Sequence, residues 1–149
     1  MKKYLSAMVI ALAAAGCSYE SKTTLTDPSS NPVASLIGSW TSASASLVPA
    51  AATCTDFKWN PTEQTGTSAK GSFSARCAGD LQLEGTAAGT LNGTTIAWSA
   101  NGAAKSPVIP TCAVSLAGTA ELGLNSIRVP YSGTTCLGPV SGVEVLNRR

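Results

Sequence analysis

The sequence predicts an all-β fold: a small antiparallel up-and-down barrel of about eight strands with two disulfides, a β-sandwich being the alternative. Three observations point there. After residue 35 helical patterning is almost absent, and short runs rich in Thr, Val, Ile or aromatic residues close on Gly, Asn or Pro, the punctuation of strands and turns. One stretch of the chain repeats 33 positions later. Four cysteines, an even number, fall in the same region.

The chain opens on a different kind of segment. Met1-Lys2-Lys3 is positively charged, and the eleven residues Leu5 to Ala15 are almost wholly apolar. A bilayer-spanning helix needs roughly 20 apolar residues, so this length suits the hydrophobic region of a signal peptide. Ala13-Ala14-Ala15 offers an ordinary cleavage site, but Ala14-Ala15-Gly16-Cys17 resembles the lipobox of bacterial lipoproteins, with Ala14 where that family usually has Leu. The resemblance implies that residues 1–16 are a lipoprotein signal peptide, that Cys17 is lipidated, and that the protein is held extracytoplasmically at a membrane of the cell envelope. Ser18 after the Cys implies the outer membrane in a two-membrane cell. Residues 17–34 then form a flexible tether, polar and broken by Pro; extended, it reaches about 55 Å. Residues 35–149 are the barrel domain.

The strands are expected at Leu36–Leu47, Cys54–Trp59, Lys70–Cys77, Asp80–Leu91, Thr94–Ala100, Thr111–Ala120, Ser126–Tyr131 and Val140–Leu146. Asn92-Gly93 joins two of them as a type I′ hairpin turn, a better account than a glycosylation sequon. The repeat aligns residues 83–100 with 116–133 without gaps: Leu83, Gly85, Thr86, Ala87, Leu91, Asn92 and Ser99 each meet an identical residue, and Trp98 meets Tyr131. Two copies are too few for a solenoid. They fit duplicated hairpins of a meander, with Trp98 and Tyr131 at equivalent positions, and closing the meander removes its exposed edges.

Cys54, Cys77, Cys112 and Cys136 read as two disulfides of an exported domain, leaving Cys17 as the odd one out. No C-x-x-C pair and no His are present, so no zinc site of the Cys/His kind is expected, and no other metal or cofactor is implied. Three connectivities are open. Nearest-neighbour pairing, Cys54–Cys77 and Cys112–Cys136, staples two hairpins. It carries a register problem: with 54 opposite 77, Phe57 and Phe73 fall on opposite faces unless a one-residue bulge intervenes.

Without residues 1–16 the chain has four Lys, four Arg and eight acids. A neutral, sparsely charged domain is a poor match for nucleic acid, which demands a basic face. Nucleophile–base catalysis generally uses His, and there is none. Lys105 and Ser106 are adjacent and point apart on a strand. Asp80, Gln82 and Glu84 share one strand face, read as the outer wall of the barrel. The Gly- and hydroxyl-rich stretch 131–142 reads as a disulfide-tied loop. An enzyme is therefore not expected.

"LIGSW" at 36–40 resembles the G-x-W opening strand of lipocalins and avidins, and "TIAWSAN" at 95–101 is similar to an avidin strand whose Trp lines the ligand pocket. Small periplasmic protease-inhibitor barrels also open with Gly-x-Trp, follow it with a Cys, and carry a disulfide. These resemblances imply a calycin-like barrel and make Trp98 a pocket residue. From the residues themselves, Trp40, Trp98 and Tyr131 are either barrel core, the favoured reading, or the wall of a ligand cavity. The expected function is that of a lipid-anchored binding protein contacting a partner protein or a small-molecule ligand. Inhibition of extracellular hydrolases or a structural envelope role are the alternatives. A deep cavity lined by Trp98 and Tyr131 favours a ligand. A filled barrel with one protruding loop or N-terminal strand favours inhibition. A filled barrel with no exposed apolar patch favours the structural role.

Overall fold

The structure, a computed structural model, describes residues 33–44 and 49–149. The expected signal peptide, Cys17 and the expected tether up to residue 32 lie outside the described residues. Eight strands run in chain order: β1 (Trp40–Ser42), β2 (Cys54–Thr65), β3 (Ser68–Cys77), β4 (Leu81–Asn92), β5 (Thr95–Lys105), β6 (Cys112–Leu122), β7 (Ser126–Thr135) and β8 (Gly138–Arg148). Each pairs antiparallel with its neighbour, and β1 also pairs with β8. The result is a closed up-and-down barrel. Closure leaves no full-length edge for another chain to pair with.

Alternation of side chains fills the barrel. On β4, Leu81, Leu83, Ala87 and Leu91 are buried while Gln82, Glu84, Thr86 and Thr90 face out. The same period runs through β5, where Ile96, Ala100 and Ala104 are buried. Small and large residues alternate across neighbouring strands. Trp98 pairs with Gly89 on β4 and Gly118 on β6, and Tyr131 pairs with Gly142 on β8. A methyl group at Gly118 would lie 2.1 Å from the Pro130 carbonyl, and one at Gly142 would lie 2.6 Å from the Tyr131 hydroxyl. Glycine at these positions lets the aromatic rings lie flat across the wall.

Two expectations about the ladder meet different outcomes. Cys54 does face Cys77, and the bulge that this pairing requires is present: Thr55 pairs with Arg76 and Lys58 with Ser74, leaving Asp56 and Phe57 against Ala75 alone. Asp56 takes φ 51°, in the left-handed region. The extra residue turns Phe57 and Trp59 inward beside Phe73. The repeat, by contrast, does not carry over as equivalent register. Asn92 pairs with Thr95 in the β4–β5 hairpin, whereas Arg128, the counterpart of Thr95, pairs with Glu121 instead of Asn125. The second hairpin is shifted by four residues and turns earlier, at Gly123–Asn125. Trp98 and Tyr131 both point inward but stand at different depths from their turns. Leu91 is buried, and its repeat partner Leu124 stands at a turn tip, 99% exposed.

Among the described residues the first strand is shorter than the expected Leu36–Leu47, of which 45–47 lie outside them. Trp40 and Thr41 pair on both sides, Ser42 pairs with β8 alone, and Val33–Ser39 runs as an irregular segment. Arg148 holds that segment. Its guanidinium stacks 4.7 Å from the centre of the Trp40 ring and donates to the carbonyls of Ser35 and Ile37. The Trp40 indole N–H donates back to the Leu36 carbonyl at 2.8 Å. The chain therefore enters the barrel at the pole carrying the turns at 66–67, 93–94 and 123–125, and both disulfides lie at the other pole.

Candidate functional site

Three places carry chemistry beyond simple wall. The first is inside the barrel, where a cavity of about 50 Å³ is bordered by Phe57, Trp59, Phe73, Ile96, Trp98 and Val129 among others. A water needs roughly 10–15 Å³, and an engineered void that takes up benzene measures about 150 Å³. The cavity walls are apolar throughout. The indole N–H groups of Trp59 and Trp98 are buried without a partner among the described residues and add nothing to the cavity surface. Recognition of a small molecule usually needs several hundred Å³ and a few converging polar groups. Of the sequence-predicted aromatics, Trp98 lines this void; Trp40 and Tyr131 are not among its walls. Trp59, which the sequence reading left aside, is. Its signal was the Phe57–Trp59 alternation once the bulge is allowed.

The second place is the seam between β8 and β2. β1 ends at Ser42, and past it, among the described residues, side chains join the seam beside the backbone hydrogen bonds from Ala43 N–H to the Val145 carbonyl and from Ser141 N–H to the Ala52 carbonyl. The Tyr131 hydroxyl donates to the Cys54 carbonyl at 2.9 Å and accepts from the Cys54 N–H at 2.6 Å. Ser42 Oγ donates to Glu144 Oε2 at 2.7 Å and accepts from the Phe57 N–H at 2.8 Å. Burial pushes the Tyr131 pKa up; its hydrogen bond with Cys54 opposes the rise and the Glu144 carboxylate adds to it. Every polar atom named here has a partner. The cluster can therefore lock the seam, and it presents no free nucleophile.

The third place is the disulfide pole. The turns at 66–67, 78–80, 93–94, 123–125 and 136–137 span two or three residues each, Ser106–Thr111 spans six, and the longer β1–β2 connection is described at 43–44 and 49–53. The Ser106–Thr111 loop reads Ser-Pro-Val-Ile-Pro-Thr. Prolines at 107 and 110 fix two of its φ angles, and each restricts the residue before it. Val108 at its crest is 84% exposed. Its N–H donates at 3.4 Å to Ser106 Oγ within the loop. Cys112, directly after the loop, is bonded to Cys136, and Leu137 beside it is 53% exposed. A rigid loop thus displays an aliphatic side chain, with a second one on the turn to which its base is stapled. Nothing in the composition had distinguished this loop from the tight turns around it.

The remaining sequence candidates are wall. Gln82 and Glu84 face out, Glu84 pairs with Lys105 at 2.9 Å, and Asp80 sits in the β3–β4 turn. The pair is more than half exposed and contributes little. Residues 131–142 form the end of β7, the turn at Cys136-Leu137 and the start of β8. The chain matches no known protein family, and neither a curated protein nor a solved structure matches it significantly.

Proposed function

We propose that this protein is a lipid-anchored, extracytoplasmic, non-enzymatic binding protein, and that it binds another protein through its disulfide pole. The observation that carries the reading is the pairing of a nearly filled barrel with a six-residue, proline-braced loop that exposes Val108. An aliphatic side chain held in water on a rigid support gains free energy when a partner buries it, and little conformational entropy is lost on binding. An inhibitor of extracellular hydrolases is the most specific form of this reading. A convex rigid loop suits a concave cleft, and the Gly38-x-Trp40 opening and the disulfides agree with the inhibitor-type barrels the sequence resembles. The two disulfides support an oxidising compartment, as the lipobox resemblance at Cys17 implies.

Native mass spectrometry of the protein purified from its own envelope tests the binding reading. A discrete bound protein is expected, and Val108→Asp should displace it. A bound small molecule with no protein partner, or a complex indifferent to Val108→Asp, contradicts the reading. For the anchor, Cys17→Ser should abolish palmitate labelling and release the protein from membranes; an unchanged membrane fraction contradicts lipidation.

A further inference from the structure

We infer that the pole opposite the loop is a docking face for an anionic phospholipid surface. The inference rests on the lipid-anchor reading and adds an orientation to it. Its starting point is Leu124. In the repeat this residue corresponds to Leu91, which is buried, yet the shifted register of the β6–β7 hairpin puts Leu124 at the tip of a turn with 99% of its surface exposed.

The surroundings of Leu124 identify what covers it. The Asn125 carbonyl accepts from the Arg148 N–H at 3.0 Å, so the turn lies against the end of β8. Arg148 and Arg149 follow there. The ion pairs among the described residues join Lys58 to Asp56, Lys70 to Glu63, Lys105 to Glu84 and Arg128 to Glu121, and leave these two arginines without a carboxylate. Arg148 packs on Trp40, and Arg149 Nε donates to Thr41 Oγ1 at 3.0 Å, so both are held at this pole. Ile37 and Val33 on the entering segment are 41% and 47% exposed. Apolar side chains flanked by guanidinium groups that have no carboxylate partner among the described residues match the acyl boundary and the phosphates of a headgroup layer. The entering segment is also where the chain leads back toward Cys17. A lipid on Cys17 would hold this pole within tether length of a bilayer, where a face too weak to bind alone engages at high effective concentration.

The test couples the full chain through Cys17, the cysteine outside the disulfides, to a maleimide phospholipid in vesicles with brominated acyl chains. The tether is thereby present whether or not Cys17 is acylated in its source. Leu124→Trp should be quenched well beyond the background of the unsubstituted protein, and Val108→Trp should not. Omitting phosphatidylglycerol, or adding Arg149→Glu to Leu124→Trp, should weaken that quenching roughly fivefold. Leu124 touches little, so its replacement leaves the fold intact. Equal quenching at both positions, or none at either, overturns the docking face. Loss of palmitate labelling at Cys17 in the source cell would overturn the anchor reading alone.

Discussion

Tyr131 shows how much one side chain can hold in this fold. Its hydroxyl satisfies both the N–H and the carbonyl of Cys54 across a seam where β2 and β8 lack a full ladder. Tyr131→Phe leaves both backbone groups unpaired in a buried place, and should cost about 2–4 kcal/mol, measured by urea unfolding. The pH dependence follows from the same burial. The folded phenol has a raised pKa, so above the ordinary value near 10 the unfolded chain loses its proton first and stability falls as pH rises further. Tyr131→Phe should remove that part of the alkaline loss; an identical alkaline slope in the variant would contradict the assignment. The sequence placed Tyr131 on an inward face but could not pair it with Cys54, because contacts 77 residues apart depend on how the barrel closes. Trp98 was similarly legible as inward. The smallness of the void beside it was not, since that depends on which small residues share its layer.

At the scale of elements, the strands were legible from residue types, whereas the disulfide pairing was one of three left open until the barrel closed. The bulge at Asp56-Phe57 followed from asking that Phe57 and Phe73 share a face. Strand ends were less legible at proline. Pro61 was read as a stop, yet β2 runs on to Thr65, because Pro61 sits next to a second register shift where a ladder donor is dispensable. Pro130, already inside the expected strand Ser126–Tyr131, lies inside β7 where the β6–β7 pairing stops at Ala117–Ser132 and resumes at Glu121–Arg128. The repeat misled about register because identical residues do not fix where a hairpin turns. Leu122 pairs with Ile127, which closes the second hairpin early and strands Leu124 outside. The disulfides give a test at this scale. They close separations of 23 and 24 residues, so replacing either pair by alanine should cost roughly 3 kcal/mol. Losing Cys112–Cys136 should in addition speed amide exchange in Ser106–Thr111, whereas losing Cys54–Cys77 should leave that loop unchanged. Equal loop exchange in both variants would contradict a role for the Cys112 staple in bracing the loop.

Over the whole molecule, closure of the barrel separates two poles with different chemistry. One receives the chain along Val33–Ser39 and carries Leu124, Arg148 and Arg149. The other carries both disulfides and the Val108 loop. Between them lies a largely polar wall, with Val143 and Val145 of β8 also exposed, and its ion pairs are exposed and energetically slight. A lipid at Cys17 would turn that polarity into an orientation, with the loop presented away from the bilayer. The barrel was legible in the sequence, but the poles are a property of chain direction in the closed sheet. The most direct measurement is photo-crosslinking in the source envelope, with a benzophenone amino acid placed at Val108 and, separately, at the wall position Thr119. A discrete crosslinked protein from Val108 and none from Thr119 is the predicted result; equal crosslinking from both, or none from Val108, would contradict the disulfide pole as the binding surface.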